Sequence, residues 1–461
     1  MDRYDLLYRL YEDAEADTLR DLQNFVDLFP PVDSRVALDY WQDVSDELDA
    51  GKRDIGAEYA DGAVLADIVA RASREQTFTA LDLHSKYGRR VNTLVLDVDE
   101  TLRSAGRTDN EIPRETLHLL TELHESGLPI VICTGQTLEN VKGFMIQGLG
   151  NELVHSGRLS IVYEAGTGVF TPGHGSDTKR LLYEGLDDPI RAVFSRVRSR
   201  VLTDAPPELR RCVHLQGNEF NVTLKPNFDV GSDDAERVID RGLVHLVDLL
   251  GRSVVATLDD GRDAGIDPRI EEVDADRAAA WARAYYADAD PEIADVLDSG
   301  GDSLDSEGND LDSEGDDLDS GGDSLDSEGD DLDSDHTAPE RTVDDVPDAV
   351  RDRFDRIDVA YYHADAAEIG SLDLDKPTGV RAALDVLEVD DPFAVVMGDS
   401  KSDLRVMEWA DRADAGIAAA PSHASESVLD HVRATDDLVY DPGDAGSVLR
   451  IVSVLNRLDE W

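Results

Sequence analysis

The sequence predicts an α/β fold built on a doubly wound parallel sheet, with an inserted α/β domain and an N-terminal helical extension. Three observations lead to this prediction. Apolar residues recur at helical spacing before residue 88, strands and helices alternate from Thr93 onward, and about 240 residues separate Thr134 from Lys376 within that alternation. A chain of 461 residues is also long enough for two or three domains.

The first 88 residues are predicted to be helical. Two prolines at 30 and 31 interrupt the pattern, and further helices are expected around 35–50 and 60–75. An aromatic and aliphatic stripe of this kind packs into a core or offers a face to a protein partner or to a second copy, and the sequence leaves this open. The stripe consists of Tyr4, Leu7, Tyr8, Tyr11, Leu22, Phe25, Val26 and Phe29.

From Thr93 the pattern alternates between short apolar strands and amphipathic helices, which predicts a parallel sheet covered on both faces. The predicted strands after the first are Pro129–Cys133, Leu159–Tyr163, Phe393–Met397 and Ala415–Ala418. The predicted helices between them are 113–127, 137–147, 376–387 and 402–410. Ligands of such sheets bind at the carboxyl ends of the strands.

The long interval between Thr134 and Lys376 exceeds any ordinary loop and predicts an inserted α/β cap domain that closes over the site. Its strand-like runs are Cys212–Leu215, Glu219–Leu224, Val254–Leu258 and Ile357–Tyr362. We therefore expect four segments, a helical domain, a first core part, the cap and a second core part, over 1–88, 89–171, 172–365 and 366–461.

Residues 298–335 form an acidic repeat within the predicted cap. Leucine recurs every seven residues, but glycine and serine crowd the other positions, so the repeat lacks the two-position seam of a coiled coil. The tract has 17 acidic residues and no basic ones, which predicts a disordered insertion. The alternative to a disordered insertion is a calcium-binding segment, although the spacing of an EF-hand is absent.

The formal net charge of −57 argues against binding to nucleic acid or to anionic membranes. Only seven of the 44 basic residues are lysines, and many acids with few lysines are typical of a salt-loaded cytoplasm such as that of a halophilic archaeon. The two cysteines are far apart, and no apolar run approaches a membrane span or a secretion signal. We therefore expect a cytoplasmic protein.

Four short segments lie where predicted strands end or helices begin, and they contain the polar residues of interest. These segments are Asp97-Val-Asp-Glu-Thr101, Cys133-Thr-Gly135, Lys376-Pro-Thr-Gly379 and Gly398-Asp-Ser-Lys-Ser-Asp403. They supply carboxylates for a divalent metal, a hydroxyl and an ammonium for phosphate oxygens, and one carboxylate free to attack phosphorus. Metal-assisted phosphoryl transfer through an aspartyl-phosphate needs this set of groups.

In this order the four segments resemble the four motifs of the haloacid dehalogenase (HAD) superfamily, whose core is Rossmann-like. The resemblance implies that Asp97 is the nucleophile and a Mg²⁺ ligand, and that Asp99 is the general acid/base and gives its backbone carbonyl to the metal. It also implies that Thr134 and Lys376 bind the transferring phosphoryl group. Asp399 would ligate the metal directly, and Asp403 would ligate it or orient a ligand water.

Within that superfamily, the chain looks like members whose cap follows the second motif, which are relatives of sugar-phosphate, sucrose-phosphate and phosphoglycolate phosphatases. Glu100 stands where such relatives usually carry glycine. The expected function is Mg²⁺-dependent hydrolysis of a small phosphorylated metabolite. A phosphomutase is the alternative enzyme, and a binding or regulatory protein acting through the N-terminal helices is the alternative outside enzymes.

Overall fold

The computed structural model describes residues 3–13, 16–29, 35–59, 61–103, 111–260, 270, 273–299 and 343–461. These residues divide into two compact units. The larger unit contains 1–185 and 374–461, and the smaller unit contains 186–373. The smaller unit is therefore an insertion between two segments that form the larger one.

The larger unit is built on an eight-stranded sheet with strand order β12-β11-β10-β1-β2-β3-β4-β5. The first six strands in this order are parallel, and β4 and β5 continue the sheet in antiparallel register. Its strands are β1 (Thr93–Leu96), β2 (Ile130–Cys133), β3 (Leu159–Tyr163), β4 (Gly168–Phe170), β5 (Lys179–Leu181), β10 (Ala394–Met397), β11 (Gly416–Pro421) and β12 (Leu438–Tyr440). The predicted α/β class with a doubly wound parallel sheet is confirmed.

Side chains of β1 alternate between two apolar layers, as a strand covered on both faces requires. Leu94 and Leu96 lie in the layer that includes the N-terminal and C-terminal helices, whereas Val95 lies in the opposite layer. The helices of the opposite layer are Lys376–Val386, Lys401–Arg412 and Glu426–Ala434. The remaining helices of this unit beyond residue 88 are Arg114–Glu125, Leu138–Leu149, Asn151–Val154 and Ala445–Glu460, with 3₁₀ turns at Glu164–Gly166, Gly175–Thr178 and Leu182–Gly185.

The predicted N-terminal helices lie in the same compact unit as the sheet. Leu65, Ile68 and Leu81 are at most 2% exposed and belong to the same apolar layer as Leu94 and Leu96. The helices are Arg3–Asp13, Ala16–Leu28, Arg35–Glu58, Gly62–Arg71 and Arg74–Tyr87. They cover one face of the sheet, and their burial contributes to the stability of the unit.

The aromatic stripe at the N-terminus is divided between core and surface. Leu7 is fully buried, and the hydroxyl of Tyr11 donates a hydrogen bond to the carbonyl of Ala72 at 2.9 Å. Tyr4 and Tyr8 are 36% and 43% exposed. Part of the stripe is therefore core, while a protein partner or self-association through residues 1–88 stays a prediction.

An ion-pair network also ties the N-terminal helices to the rest of the larger unit. The Asp67 carboxylate accepts hydrogen bonds from Lys52 at 3.1 Å, from Arg71 at 3.1 Å and from Arg457 at 2.6 Å. Arg71 and Arg457 both reach Glu122, at 2.5 and 3.2 Å. The network joins two N-terminal helices to the helices Arg114–Glu125 and Ala445–Glu460.

The smaller unit has a four-stranded sheet of order β6-β7-β9-β8, in which each neighbouring pair is antiparallel. Its strands are β6 (Val213–Leu215), β7 (Val222–Pro226), β8 (Ile357–Tyr362) and β9 (Ala366–Ser371). Its helices are Asp188–Arg200, Pro207–Cys212, Ser232–Asp260, Ala275–Ala289, Pro291–Ser299 and Asp348–Phe354, with a 3₁₀ turn at Val343–Asp345.

The predicted strand Val254–Leu258 is wrong, because these residues end the long helix Ser232–Asp260. Val254 is fully buried four residues after the fully buried Leu250, which is a helical spacing. Strand β9 was not predicted, and it belongs to the smaller sheet although 366–461 was expected to be core.

The acidic repeat at 298–335 lies outside the described residues except for its first two, which end the helix Pro291–Ser299. Among the helices that the structure describes, none is long and apolar enough to cross a bilayer.

Candidate functional site

Three neighbouring parallel strands bring predicted site residues to one edge of the large sheet. Asp97 directly follows β1, Thr134 directly follows β2, and Asp399 comes two residues after β10. β1 pairs with both β10 and β2 in parallel register, so their carboxyl ends meet. Lys376 is the first residue of the helix Lys376–Val386.

Lys376 lies between two carboxylates and is almost completely buried. Its Nζ donates to Asp97 Oδ1 at 3.0 Å and to Asp403 Oδ1 at 2.6 Å, and its side chain is 4% exposed. Burial opposes the charged ammonium, but the Asp403 and Asp97 carboxylates outweigh this effect and raise the pKa of Lys376 well above its ordinary value. Lys376 is therefore a fixed cation.

Close backbone contacts at two glycines position these groups. A Cβ at Gly398 would lie 2.3 Å from the Cβ of Asp403, so only glycine lets Asp403 fold back over the end of β10. A Cβ at Gly166, where φ is +109°, would lie 2.1 Å from the carbonyl oxygen of Asp375. The close approach at Gly166 seats the beginning of the helix that carries Lys376.

Asp399 completes a cluster of three carboxylates. Asp97, Asp399 and Asp403 each offer an oxygen within 4.8 Å of the others. Thr101 Oγ1 donates to Asp399 Oδ1 at 3.3 Å. Burial and the neighbouring Asp403 carboxylate raise the pKa of Asp399 to about 6.

Asp403 has fewer lone pairs to offer than the other two aspartates. Its Oδ1 accepts from Lys376, and its Oδ2 accepts from the backbone N–H of Ser400 at 3.2 Å and from the Ser400 hydroxyl at 2.5 Å. A carboxylate has about four lone-pair sites, so three of those of Asp403 are taken. Within the described part of the chain, Asp97 and Asp399 are the carboxylates better able to ligate a metal, and Asp403 orients Lys376.

The charge of this cluster fits a divalent cation. The ammonium of Lys376 pairs with two of the three carboxylates, those of the buried Asp97 and Asp403, so negative charge is in excess in the cluster. Burial and the Asp403 and Asp399 carboxylates raise the pKa of Asp97 well above its ordinary value, even though Lys376 opposes the shift. Hard carboxylate oxygens are the ligands that Mg²⁺ prefers, and a dication would offset the excess charge.

The carboxylate of Asp99 does not join this cluster. Its Oδ1 accepts from Arg103 Nε at 2.9 Å, and its Oδ2 accepts from Gln136 Nε2 at 2.5 Å. β1 ends at Leu96, and the chain then turns through Glu100 at φ +56°, so the strand alternation that would align Asp99 with Asp97 no longer applies. Within the described contacts, Asp97 and Asp99 therefore have different hydrogen-bond partners. The role of the Asp99 carbonyl as a metal ligand stays a prediction.

Glu100 adopts a left-handed backbone conformation, with φ at +56°. A positive φ is easy for glycine and costs other residues roughly 1–2 kcal/mol. Glu100 Oε2 lies 3.5 Å from Nε2 of His423.

Thr134 is buried at the end of β2, and its hydroxyl accepts a hydrogen bond from the backbone N–H of Gln136 at 3.1 Å. Gln136 therefore links the Thr134 turn to Asp99. The predicted site residues thus fall into two groups. Lys376 contacts Asp97 and Asp403, and Gln136 connects Asp99 to Thr134.

Sequence reasoning did not single out Thr101, Gln136 or Ser400 as site residues. Ser400 could have been found, because serine three residues before an acid at a helix start signals a capping box, and both of its hydrogen bonds form here with Asp403. The contact between Gln136 and Asp99 joins residues 37 positions apart, and no sequence pattern predicts a contact between such distant residues.

The arginines of the helix Asp188–Arg200 could have formed an anion-binding face or a solvated one. Arg191, Arg196 and Arg200 pair with Asp188, Asp260 and Asp204. Arg198 donates instead to the backbone carbonyls of Asn218 at 3.0 Å and Phe220 at 2.7 Å. The four arginines are therefore paired with acidic side chains and backbone carbonyls of the smaller unit itself.

Comparison with known proteins finds similar chains among solved structures. No protein-family model matches the chain, and no curated protein matches it. Trehalose-6-phosphate phosphatase from Aspergillus fumigatus is 13% identical, with 82% of this chain and 97% of that chain covered and a TM-score of 0.38. A haloacid dehalogenase-like hydrolase from B. subtilis is 14% identical, with 79% and 99% covered and a TM-score of 0.38.

A third solved structure is a sugar phosphatase of HAD subclass IIB, which is 14% identical, with 78% of this chain and 96% of that chain covered and a TM-score of 0.38. Two of these three structures are thus described as HAD proteins, and all three are at low sequence identity to this chain. The function of this chain is therefore inferred from its own site.

Proposed function

We propose that the protein is a Mg²⁺-dependent phosphatase that hydrolyses a small phosphorylated metabolite through an aspartyl-phosphate on Asp97. The observation that supports it most is the cluster of Asp97, Asp399 and Asp403, in which the buried ammonium of Lys376 pairs with Asp97 and Asp403. Such a cluster is costly for a protein to bury unless a dication and an anionic substrate complete it.

In the first step, an Asp97 oxygen attacks phosphorus, and the bond between phosphorus and the leaving oxygen breaks. Asp99 donates a proton to that oxygen, which departs as an alcohol. Lys376 stabilises charge on the phosphoryl oxygens, and Thr134 donates a hydrogen bond to one of them.

In the second step, a water molecule attacks the phosphorus of the aspartyl-phosphate. Asp99 takes a proton from the water, and the bond between phosphorus and the Asp97 oxygen breaks. Inorganic phosphate leaves, and both aspartates return to their starting state. The 47% exposure of the Asp99 side chain is compatible with contact to both the leaving group and water.

Asp97 and Asp399 would hold the metal, with the backbone carbonyl of Asp99 as a further ligand. Asp403 would ligate it or orient a ligand water, and its occupied lone pairs favour the orienting role. When bound, Mg²⁺ neutralises charge on the phosphoryl oxygens and on the nucleophile. The donor set of carboxylate oxygens supports this ion rather than one that prefers thiolate or imidazole.

The proposed substrate is a sugar phosphate or a compound of the phosphoglycolate class, and this class rests on the motif resemblance. The net charge of −57 makes nucleic acid and anionic membranes unlikely to bind without a basic patch, so we propose neither as a partner. The proposed location is a cytoplasm rich in salt.

The test is a screen of phosphorylated metabolites with Mg²⁺ or with EDTA, at low and at molar KCl. We expect release of phosphate that requires Mg²⁺ and that is lost in Asp97→Asn. The exposed aspartate at position 390 provides the matched control, and Asp390→Asn should retain wild-type activity. Full activity in a folded Asp97→Asn protein would refute the proposal. Transfer of phosphoryl to a second sugar rather than to water, after activation by a bisphosphate, would favour the phosphomutase instead.

A further inference from the structure

Both oxygens of the Asp99 carboxylate are held by side chains from two different segments. Arg103 approaches Oδ1 with Nε at 2.9 Å and Nη2 at 2.5 Å, and Gln136 approaches Oδ2 with Nε2 at 2.5 Å. A planar guanidinium that donates twice fixes the direction of a carboxylate better than a single donor does. The carboxylate therefore has a defined orientation before any substrate binds.

Arg103 is itself held in place. Its guanidinium carbon lies 4.5 Å from the centre of the Phe144 ring, its side chain is 14% exposed, and its backbone N–H donates to the carbonyl of Val98 at 3.1 Å. Stacking on an aromatic face and a closed backbone turn both restrict the arginine. Arg103 is a rigid support rather than a mobile surface charge.

Gln136 is fixed through its backbone. Its N–H donates to the Thr134 hydroxyl at 3.1 Å, and its carbonyl accepts from the N–H of Glu164 at 2.9 Å. Gln136 therefore couples the orientation of Asp99 to the turn that carries Thr134, the proposed phosphoryl-binding residue.

The lone pairs of Asp99 show where a proton can reside. A carboxylate has about four lone-pair sites, of which Arg103 occupies two on Oδ1 and Gln136 occupies one on Oδ2. Among the contacts of the described residues, one site on Oδ2 is left. A proton transferred to or from substrate needs such an open site.

We propose that Arg103 and Gln136 are positioning residues that hold Asp99 so that Oδ2 carries the proton exchanged with the leaving group and with water. This inference rests on the proposed phosphatase function and deepens it. In the first step the Oδ2–H bond breaks as the leaving oxygen gains the proton. In the second step Oδ2 takes a proton from the attacking water.

The test compares two aryl phosphates that differ in leaving group. p-Nitrophenyl phosphate has a leaving group that hardly needs protonation, whereas phenyl phosphate has one that does. General acid catalysis contributes roughly 10²–10⁴-fold, so Arg103→Gln should lower kcat/KM, which reports the phosphorylation step alone, about 10–100-fold for phenyl phosphate and less than about threefold for p-nitrophenyl phosphate. Gln136→Leu should show the same selectivity with a smaller loss.

Two comparisons separate positioning from a merely structural effect. Arg191 is an arginine paired with an acid three residues away on an exposed helix face, and Arg191→Gln should leave both rates unchanged. In an Asp99→Asn background, Arg103→Gln should lower kcat/KM further by less than about twofold, because the group that it positions is already lost.

Equal losses on both substrates or an additive loss in the Asp99→Asn background would each overturn the positioning role while leaving the phosphatase intact. A wild-type protein that hydrolyses no phosphate ester with Mg²⁺ would overturn the phosphatase itself, and the positioning role with it.

Discussion

Replacing Lys376 with methionine keeps an unbranched side chain of similar length but removes the ammonium group that pairs with Asp97 and Asp403. That ammonium lies 3.0 Å from Asp97 Oδ1 and 2.6 Å from Asp403 Oδ1. All three side chains are at most 7% exposed, so water cannot take its place. The variant leaves carboxylates that lack their only basic partner among the described contacts.

The size of the effect follows from these contacts. Breaking a buried ion pair by removing one partner typically costs about 3–5 kcal/mol. Two hydrogen bonds between charged groups, at roughly 1.5–3 kcal/mol each, lead to a similar range. Burial already raises the pKa of Asp97, and protonation of this carboxyl should relieve part of the cost at acid pH. We therefore expect the loss to grow as the pH rises and the carboxyl of Asp97 loses its proton.

The assay is thermal unfolding in molar KCl without Mg²⁺. A unit of this size loses roughly 2–4 °C of Tm per kcal/mol, so Lys376→Met should melt roughly 6–20 °C below wild type. Lys142 provides the control in the same unit, because it is half-buried and contacts the Phe170 ring at 4.6 Å without a buried acid partner in the described contacts. Lys142→Met should lose about 1 kcal/mol or less. Equal Tm values for the two variants would refute the charge balance inferred for the cluster.

Three further predictions concern the metal, the N-terminal helices and the salt. Burial and Asp403 raise the pKa of Asp399 to about 6, so protonated Asp399 stabilises the folded metal-free protein at low pH, and this stabilisation is lost as the pH rises through 6. Mg²⁺ should therefore raise Tm more at about pH 8 than at about pH 5. Asp399→Asn should reduce this difference when Tm is measured at both pH values. Deletion of residues 1–88 uncovers the sheet face that contains Leu94 and Leu96, and the truncated protein should aggregate or show no cooperative unfolding by circular dichroism, whereas a soluble, cooperatively folded product would contradict the shared core. The acidic surface should make Tm rise from low salt to molar KCl, and a flat Tm over this range would remove the argument for a salt-rich habitat.

The core strands and the strand-end positions of the site could be predicted from sequence because both depend on local patterns. The strand Leu159–Tyr163 has the predicted bounds, and Asp97 and Thr134 directly follow strands as expected. Apolar runs between helical segments determine such strands, and parallel pairing then brings their ends together.

Contacts between distant segments were not predictable in the same way. The run Val254–Leu258 is β-branched in part and favours a strand locally, but burial against the core of the smaller unit keeps it in a helix. The direction of the Asp99 side chain depends on a turn at Glu100 and on Gln136, which lies in another segment. Tertiary contacts decided both outcomes, and one sequence contains no direct signal for them.

The most direct measurement of the central claim is the site of phosphorylation. Asp99→Asn keeps the nucleophile but lacks the group that activates water, so it should accumulate the aspartyl-phosphate when mixed with Mg²⁺ and a reactive aryl phosphate. After an acid quench, peptide mass spectrometry should find the mass of one HPO₃ unit on Asp97, and none when EDTA replaces Mg²⁺. A phosphoryl group on another residue, or wild-type turnover with no phosphorylated Asp97 in either protein, would contradict the account.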